Sequence, residues 1–134
     1  DADEKWDFSL FQPDVVCVNL GTNDMSVNKG DSVRYENAAL QCAKRLRGYY
    51  PNAKIVILTG SMLTGKNLGI VQRALDRVAA AMRRDGDNAL FRFDMSPQDG
   101  SLGYGAGYHP SMRQAEKMAN ELTCYLGSIT GWKQ

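Results

Sequence analysis

The chain has one histidine, His109, which lies in a Tyr-His-Pro sequence at the end of a glycine-rich stretch, residues 96–110. A candidate partner is Asn23, in the Gly-Thr-Asn-Asp sequence at residues 21–24, directly after an apolar run. An imidazole can take a proton from a nucleophile, and a side-chain amide can donate a hydrogen bond to a developing oxyanion. These two residue types, facing one pocket, are the pairing that acyl transfer needs.

Three strands are predicted around these residues. The uninterrupted apolar run at residues 14–20 is rich in β-branched side chains and indicates a strand of a parallel sheet, buried on both faces. Residues 53–59 indicate a second buried strand, and the more alternating residues 90–94 a third strand nearer the edge or end of the sheet. Open α/β sheets bind ligands at the carboxyl ends of their strands, so both candidate residues should lie along that edge.

Helices are predicted between and after the strands. The helical spacing of apolar residues indicates helices over residues 31–48 and 67–84, and Asp31 or Ser32 can cap the first of them. Ser111 opens the last helix, with Gln114 at the reciprocal position of a capping box. Because strand and helix alternate along the chain, we predict right-handed βαβ crossovers and an α/β fold with a parallel sheet.

Size, charge and cysteine usage narrow the class of protein. At 134 residues, the chain is one domain or part of one. A net charge of +1 argues against electrostatic binding of nucleic acid, and no apolar run approaches the roughly 18 residues of a membrane span. Cys17, Cys42 and Cys124 are an odd, widely spaced set, without metal-ligand spacing, and we interpret them as small buried hydrophobic residues.

A second motif competes with this interpretation. The glycine-rich residues 60–67 follow a predicted strand and precede a predicted helix, which is the setting of a phosphate-binding P-loop. That motif requires Ser or Thr at its last position to hold Mg²⁺, and this chain has Asn67 there. Asp94 is the one candidate for the partner carboxylate. A nucleotide-binding α/β module therefore stays an alternative hypothesis.

With Gly-Thr-Asn-Asp and Tyr-His-Pro both placed, the chain resembles the SGNH (GDSL-type) hydrolases, esterases with a three-layer α/β/α flavodoxin-like fold. In particular it resembles the carbohydrate esterase family 2 deacetylases. Three further sequences carry that resemblance: Trp-Asp-Phe at residues 6–8, Pro-Gln-Asp-Gly at 97–100 and Gly-Tyr-Gly at 103–105. The resemblance extends over essentially the whole chain and implies hydrolysis of acetyl esters on a sugar or polysaccharide, with no metal or cofactor.

The resemblance also implies roles for individual residues. Asn23 corresponds to the oxyanion-hole asparagine of the family, and His109 to its catalytic base. Gly21 and Asp24 support the turn that carries Asn23. Two tyrosines of the glycine-rich stretch line the acyl or sugar cleft: Tyr104 and Tyr108.

The sequence departs from the family pattern in its nucleophile. The family's serine lies in a Gly-Asp-Ser block after an earlier strand, and that block does not occur in these 134 residues. Ser9, Ser26 and Ser61 lack its context, although Ser61 follows a predicted strand. A non-catalytic binding domain is therefore a further alternative.

The group that orients the histidine is also open. Many members of the family carry an aspartate shortly before the histidine, where this chain has Ala106 and Gly107. Asp99, Asp94 or a backbone carbonyl are the candidates to replace it.

The flavodoxin-like strand order 2-1-3-4-5 implies that the three strands are the third, fourth and fifth of the sheet. The strand at residues 14–20 would then expose an unpaired apolar edge, which is an aggregation hazard. We therefore expect residues 1–134 to be the C-terminal portion of one SGNH hydrolase domain. The N-terminal part, in the same or a second chain, would supply the serine and the first strands. The resemblance further implies secretion.

Overall fold

The computed structural model describes residues 6–26 and 30–133 of the chain. Three strands form a parallel sheet in the order β1-β2-β3, with β2 in the centre. Their bounds are β1 Val15–Asn19, β2 Lys54–Thr59 and β3 Leu90–Asp94. The helices are α1 Thr22–Ser26, α2 Ser32–Tyr49, α3 Gly65–Arg84 and α4 Met112–Thr130, with 3₁₀ turns at Phe8–Leu10 and Ala106–Tyr108. The predicted α/β fold is confirmed.

The side chains of the sheet divide between two apolar layers because neighbours along a strand point to opposite faces. Ile55, Ile57 and Leu90 pack in one cluster with residues of α2 and α3. Val56 and Leu58 pack in a second cluster with the apolar side of α4. Helices therefore lie on both faces of the sheet, which is the predicted three-layer α/β/α arrangement.

Strand β1 is less buried than its sequence predicts. It pairs with β2 on one side, and within the described residues its other edge has no partner strand. Cys17 and Asn19 are exposed, because the cluster around α4 reaches β1 only at Val15. Leu20, just beyond the strand, is 61% exposed. The prediction of burial on both faces is thus wrong for β1 and correct for the central strand β2.

The cysteines were expected to be buried, and for two of them this is wrong. Cys17 and Cys124 are exposed, and Cys42 is half-buried. Cys17 lies on the same face of β1 as Val15, beyond the part that α4 covers, and Cys124 lies on an exposed position of α4. An apolar run predicts a strand, but what covers each face depends on the neighbouring elements.

The helix ends follow the predicted capping chemistry with two differences. The Asp31 carboxylate accepts hydrogen bonds from the first turn of α2, and the Ser111 hydroxyl accepts one from the backbone N–H of Gln114. However, α3 begins at Gly65, two residues before the predicted start. The reciprocal half of the capping box is also missing, since in the described residues the Ser111 backbone N–H donates no hydrogen bond to the Gln114 side-chain oxygen. Gln114 Nε2 is buried without a hydrogen-bond partner among the described residues.

The amino end of the sheet is held together by Arg47, at the end of α2. Its guanidinium forms two hydrogen bonds to the carboxylate of Asp87, at 2.8 and 3.1 Å. It also donates to the carbonyl oxygens of Tyr50, Pro51 and Ala53, the last at 2.6 Å. This one side chain therefore connects α2, the turn before β2 and the turn before β3.

Among residues 6–26 and 30–133, no helix combines the length and the apolar character that crossing a bilayer requires.

Candidate active site

The segment after β1 begins at Gly21, which is buried and has φ +115°. A Cβ atom there would lie 2.8 Å from the hydroxyl of Tyr35, so the position requires glycine for its space as well as its φ. The Tyr35 hydroxyl donates to the carbonyl of Leu20 at 3.0 Å. Burial, and secondarily the charge of Asp24, raises the pKa of Tyr35 to about 12. The end of β1 is therefore packed tightly against α2.

Residues 21–24 were predicted as a turn, and they instead lead directly into the short helix α1. Helix α1 is held on its buried side, because Met25 is buried and its carbonyl accepts a hydrogen bond from Asn67 Nδ2 at 3.1 Å. Asn23 and Asp24 are exposed on its outer side. Within the described residues the Asn23 amide has no protein hydrogen-bond partner, so it is available to a ligand.

The segment after β3 carries His109, and its backbone is held on both sides. The His109 N–H donates to the carbonyl of Ala106 at 3.1 Å, and its carbonyl accepts from Gly105 N–H at 2.7 Å. The Ser111 hydroxyl, at the start of α4, donates to the carbonyl of Leu102 at 2.8 Å. The imidazole itself is exposed, so the loop presents a fixed backbone and an accessible base.

Tyr104 and Tyr108 lie beside His109 in the same loop. Their rings meet edge to face, with centroids 5.7 Å apart and an interplanar angle of 70°. They are 49% and 75% exposed, respectively, so most of their surface faces outward rather than into a core. The loop therefore places two aromatic rings and the histidine on one exposed surface.

The predicted site residues thus form two groups. Tyr104, Tyr108 and His109 lie together after β3, whereas Gly21, Asn23 and Asp24 lie together after β1. Both groups are at the carboxyl edge of the parallel sheet, with β2 between the two strands. No hydrogen bond in the described residues joins the groups, so the convergence of Asn23 and His109 on one pocket stays a prediction.

Neither candidate aspartate contacts the histidine. The Asp94 carboxylate accepts hydrogen bonds from the Thr59 hydroxyl at 2.7 Å and from Arg92 Nη2 at 2.8 Å. Asp99 accepts from the hydroxyl and the backbone N–H of Ser101, and these bonds lower the pKa of Asp99. Both carboxylates therefore serve local structure, which leaves a backbone carbonyl as the third candidate.

Two of the three candidate serines form structural contacts. Ser61 is 1% exposed, and its hydroxyl donates to the sulfur of Met118 at 3.2 Å. The Ser9 hydroxyl donates to Asp7 at 2.7 Å, before β1. The side chain of Ser26 lies outside what the structure describes. Ser61 therefore lacks the exposure that a nucleophile needs, and the exposed Ser9 forms no hydrogen bond to His109 in the described residues.

The two residues that the P-loop alternative would use at its Mg²⁺ site also form structural contacts. The Asn67 amide holds α1, and Asp94 is engaged by Thr59 and Arg92. In the described part of the chain, no group of three or more histidine, cysteine, aspartate or glutamate side chains could hold a metal ion. Nucleotide binding at residues 60–67 is not favoured.

Two residues at this edge were not identified from the sequence. Tyr35 fixes the end of β1, and Gln98 donates from Nε2 to the carbonyl of Tyr108 at 2.7 Å. Tyr35 has the spacing of an ordinary helical residue and gives no signal. Gln98 stands in the Pro-Gln-Asp-Gly sequence at residues 97–100, whose position shortly before the histidine was the available signal.

The chain is similar in sequence to two proteins that are esterases. It is 36% identical over 128 residues to the cellulase/esterase CelE of Acetivibrio thermocellus and 28% identical over 128 residues to an acetylxylan esterase/glucomannan deacetylase of Cellvibrio japonicus. Each match covers 96% of this chain, but only 16% and 34% of those proteins.

Among solved structures, a family two carbohydrate esterase from Clostridium thermocellum in complex with cellohexaose superposes with a TM-score of 0.93 at 35% identity. The match covers 98% of this chain and 41% of that one, so the chain spans less than half of its relatives. The family model described as GDSL-like lipase/acylhydrolase matches residues 2–122. By that match, the chain belongs to the GDSL-like lipase/acylhydrolase family.

Proposed function

We propose that the protein containing this chain is a carbohydrate esterase that removes acetyl groups from a sugar or polysaccharide. The observation that carries this proposal is the superposition of 98% of the chain on a family two carbohydrate esterase, with a TM-score of 0.93. The exposed imidazole and the exposed, unpartnered amide at the carboxyl edge of the sheet support it chemically.

The nucleophile in this proposal is a serine outside the 134 residues. The serine oxygen attacks the ester carbonyl carbon while His109 takes the hydroxyl proton. The Asn23 amide donates to the resulting oxyanion. The intermediate then collapses, its bond to the sugar oxygen breaks, and the imidazolium returns its proton to that oxygen. Water, deprotonated by His109, next attacks the acetyl-serine and releases acetate and the free serine.

We assign substrate contacts to Tyr104 and Tyr108, because each ring offers an exposed apolar surface with a phenol hydroxyl beside the histidine. Gly21 and Asp24 support the start of α1, which carries Asn23. Acetylated carbohydrate is the proposed substrate class, since family two relatives include one solved in complex with cellohexaose.

We further propose that residues 1–134 form the C-terminal portion of a single hydrolase domain. The free edge of β1 supports this, because an exposed apolar strand edge calls for a partner strand. The segment that completes the sheet would also bring the serine, from the same or a second chain. Secretion stays a prediction from the family resemblance.

The experiment that tests this function is His109→Ala in the complete protein. We expect kcat for 4-nitrophenyl acetate and for acetylated xylan to fall by about 10²–10⁴-fold, because the proton acceptor and donor is lost. Initial rates at saturating ester measure it. Gln41→Ala, an exposed substitution on α2, is the control and should leave kcat unchanged.

Two results would contradict the proposal. Undiminished turnover in His109→Ala would remove the histidine from the mechanism. A complete wild-type protein that hydrolyses no acetyl ester, yet binds cello-oligosaccharides in calorimetry, would identify a non-catalytic binding domain instead.

A further inference from the structure

Gln98 connects the histidine loop to the carboxyl end of the central strand. Its backbone N–H donates to the carbonyl of Ser61, just beyond β2, at 2.9 Å. Its side-chain Nε2 donates to the carbonyl of Tyr108 at 2.7 Å. Ser61 is itself buried and bonded to Met118 of α4. Gln98 therefore connects the peptide group just before His109 to the core.

That peptide group needs support because of its backbone conformation. Gly107 and Tyr108 both have left-handed dihedrals, with φ of +59° and +61°. This region is unfavourable for an L-residue with a Cβ, and such conformations persist where the surrounding contacts hold them in place. The hydrogen bond from Gln98 fixes the carbonyl of the strained residue itself, and with it the start of His109.

The Gln98 side chain is not explained by stability alone. Its Oε1 atom is buried with no hydrogen-bond partner among the described residues. A buried, unpartnered acceptor costs free energy that a side chain without polar atoms would avoid. The bond to Tyr108 lies on an exposed part of the loop, where water can replace the donor. The residue thus contributes more to the placement of the loop than to the stability of the fold.

The histidine depends on such placement because, within the described residues, no carboxylate forms a hydrogen bond or ion pair with its ring. Asp94 and Asp99 are engaged by Thr59, Arg92 and Ser101. The position of the imidazole therefore depends on the backbone that carries it. That backbone is fixed at the N–H by Ala106, at the carbonyl by Gly105 and at the preceding peptide by Gln98.

We propose that Gln98 is a positioning residue for the base His109, holding the Tyr108–His109 peptide so that the imidazole points at the serine proton. This inference rests on the proposed esterase function. Gln98 does not take part in the chemistry itself, and its effect should appear in the chemical step rather than in binding.

Gln98→Met in the complete protein removes the donor and keeps the side-chain length. We expect kcat for 4-nitrophenyl acetate to fall by about 10- to 100-fold through misplacement of the base, with KM and the melting temperature unchanged. Gln72→Met is the matched control, because Gln72 is also half-buried, lies on α3 and makes no side-chain hydrogen bond in the described residues. An unchanged kcat in Gln98→Met, or a loss confined to KM, would overturn the proposal.

Gln98→Glu gives a readout that a general loosening of the loop would not produce. The introduced carboxylate cannot donate to the Tyr108 carbonyl at neutral pH, but the protonated carboxyl can. Its reference pKa is about 4.3, and burial raises it. We therefore expect the kcat of Gln98→Glu, divided by that of wild type, to rise as pH is lowered from neutral. A ratio independent of pH would contradict the role.

A measurement without turnover separates this inference from the proposed function. In ¹⁵N-histidine NMR spectra of the complete protein, the resonances lost in His109→Ala identify His109. Gln98→Met should shift or broaden them, and Gln72→Met should not. Unaltered His109 resonances in Gln98→Met would overturn the positioning role even in an active enzyme. If Gln98→Met altered the His109 resonances but the complete wild-type protein hydrolysed no acetyl ester, only the esterase function would be overturned.

Discussion

The two ends of the sheet use their polar side chains in opposite ways. At the amino end, Arg47 and Asp87 are largely buried, and the guanidinium is engaged by a carboxylate and three carbonyl oxygens. At the carboxyl end, Asn23 and His109 are exposed, and in the described residues neither side chain has a protein hydrogen-bond partner. Satisfied polar groups hold elements together, whereas unsatisfied exposed ones are free to bind a substrate. Under the proposed function, the Arg47 contacts and the chemistry lie at opposite ends of the strands.

Removing the amino-end contact should have the largest effect on stability. In the complete protein, Arg47→Met leaves the Asp87 carboxylate and several carbonyl groups without their donor, so we expect a loss of about 3 kcal/mol in the free energy of unfolding. Urea denaturation measures it, and kcat per folded molecule should not change. Lys44→Met is the matched control, because the Lys44–Asp85 pair is half exposed and should contribute only about 0–1 kcal/mol. Equal losses in the two variants would contradict the contrast between the ends.

Removing the Asn23 amide at the carboxyl end should lower activity without lowering stability. Asn23→Ala removes one proposed oxyanion donor, so we expect kcat for an acetyl ester to fall by about 10²–10³-fold. The urea midpoint should stay unchanged, because the amide stabilises no other described residue. Asn120→Ala, which removes an exposed amide from α4, serves as control. If Asn23→Ala lowered stability and spared kcat, the amide would belong to the fold and not to the site.

Tyr35 sharpens the comparison, because it is a buried polar group at the carboxyl end. The pKa of its hydroxyl is raised by burial from 10.0 to about 12. Below pH 10 the hydroxyl is protonated in both states; as pH rises towards 12 the unfolded chain loses the proton first, so stability falls. Tyr35→Phe should cost about 1 kcal/mol near neutral pH, where the bond to the Leu20 carbonyl is lost.

The difference in the free energy of unfolding between wild type and Tyr35→Phe should shrink as the pH is raised. Only the wild-type protein has the Tyr35 hydroxyl, whose deprotonation in the unfolded chain lowers stability at alkaline pH. Urea denaturation of the complete wild-type and Tyr35→Phe proteins at about pH 8 and about pH 11 measures the difference. A difference that is the same at both values would show that the Tyr35 hydroxyl titrates alike in the folded and unfolded states.

The sequence predicts best those elements whose bounds and burial depend mainly on their own side chains. Strand β2 is buried as its apolar run predicts, and Asp31 and Ser111 cap α2 and α4 as their types predict. Strand β1 has a similar apolar run, and its exposure was not predicted, because burial depends on what lies on either side. The contact between Gln98 and Tyr108 was likewise hidden, since a left-handed tyrosine has no sequence signal.

By itself, the sequence determined the order of strands and helices, the capping residues and the two chemical groups on which the proposed function rests. These follow from periodicity, side-chain chemistry and short-range hydrogen bonds, which act between near neighbours in the chain. The tertiary structure alone decided that Asp94 and Asp99 are engaged elsewhere, that Ser61 is buried and that Gln98 supports the histidine loop. Those outcomes depend on partners from other elements, which only the folded packing brings into contact.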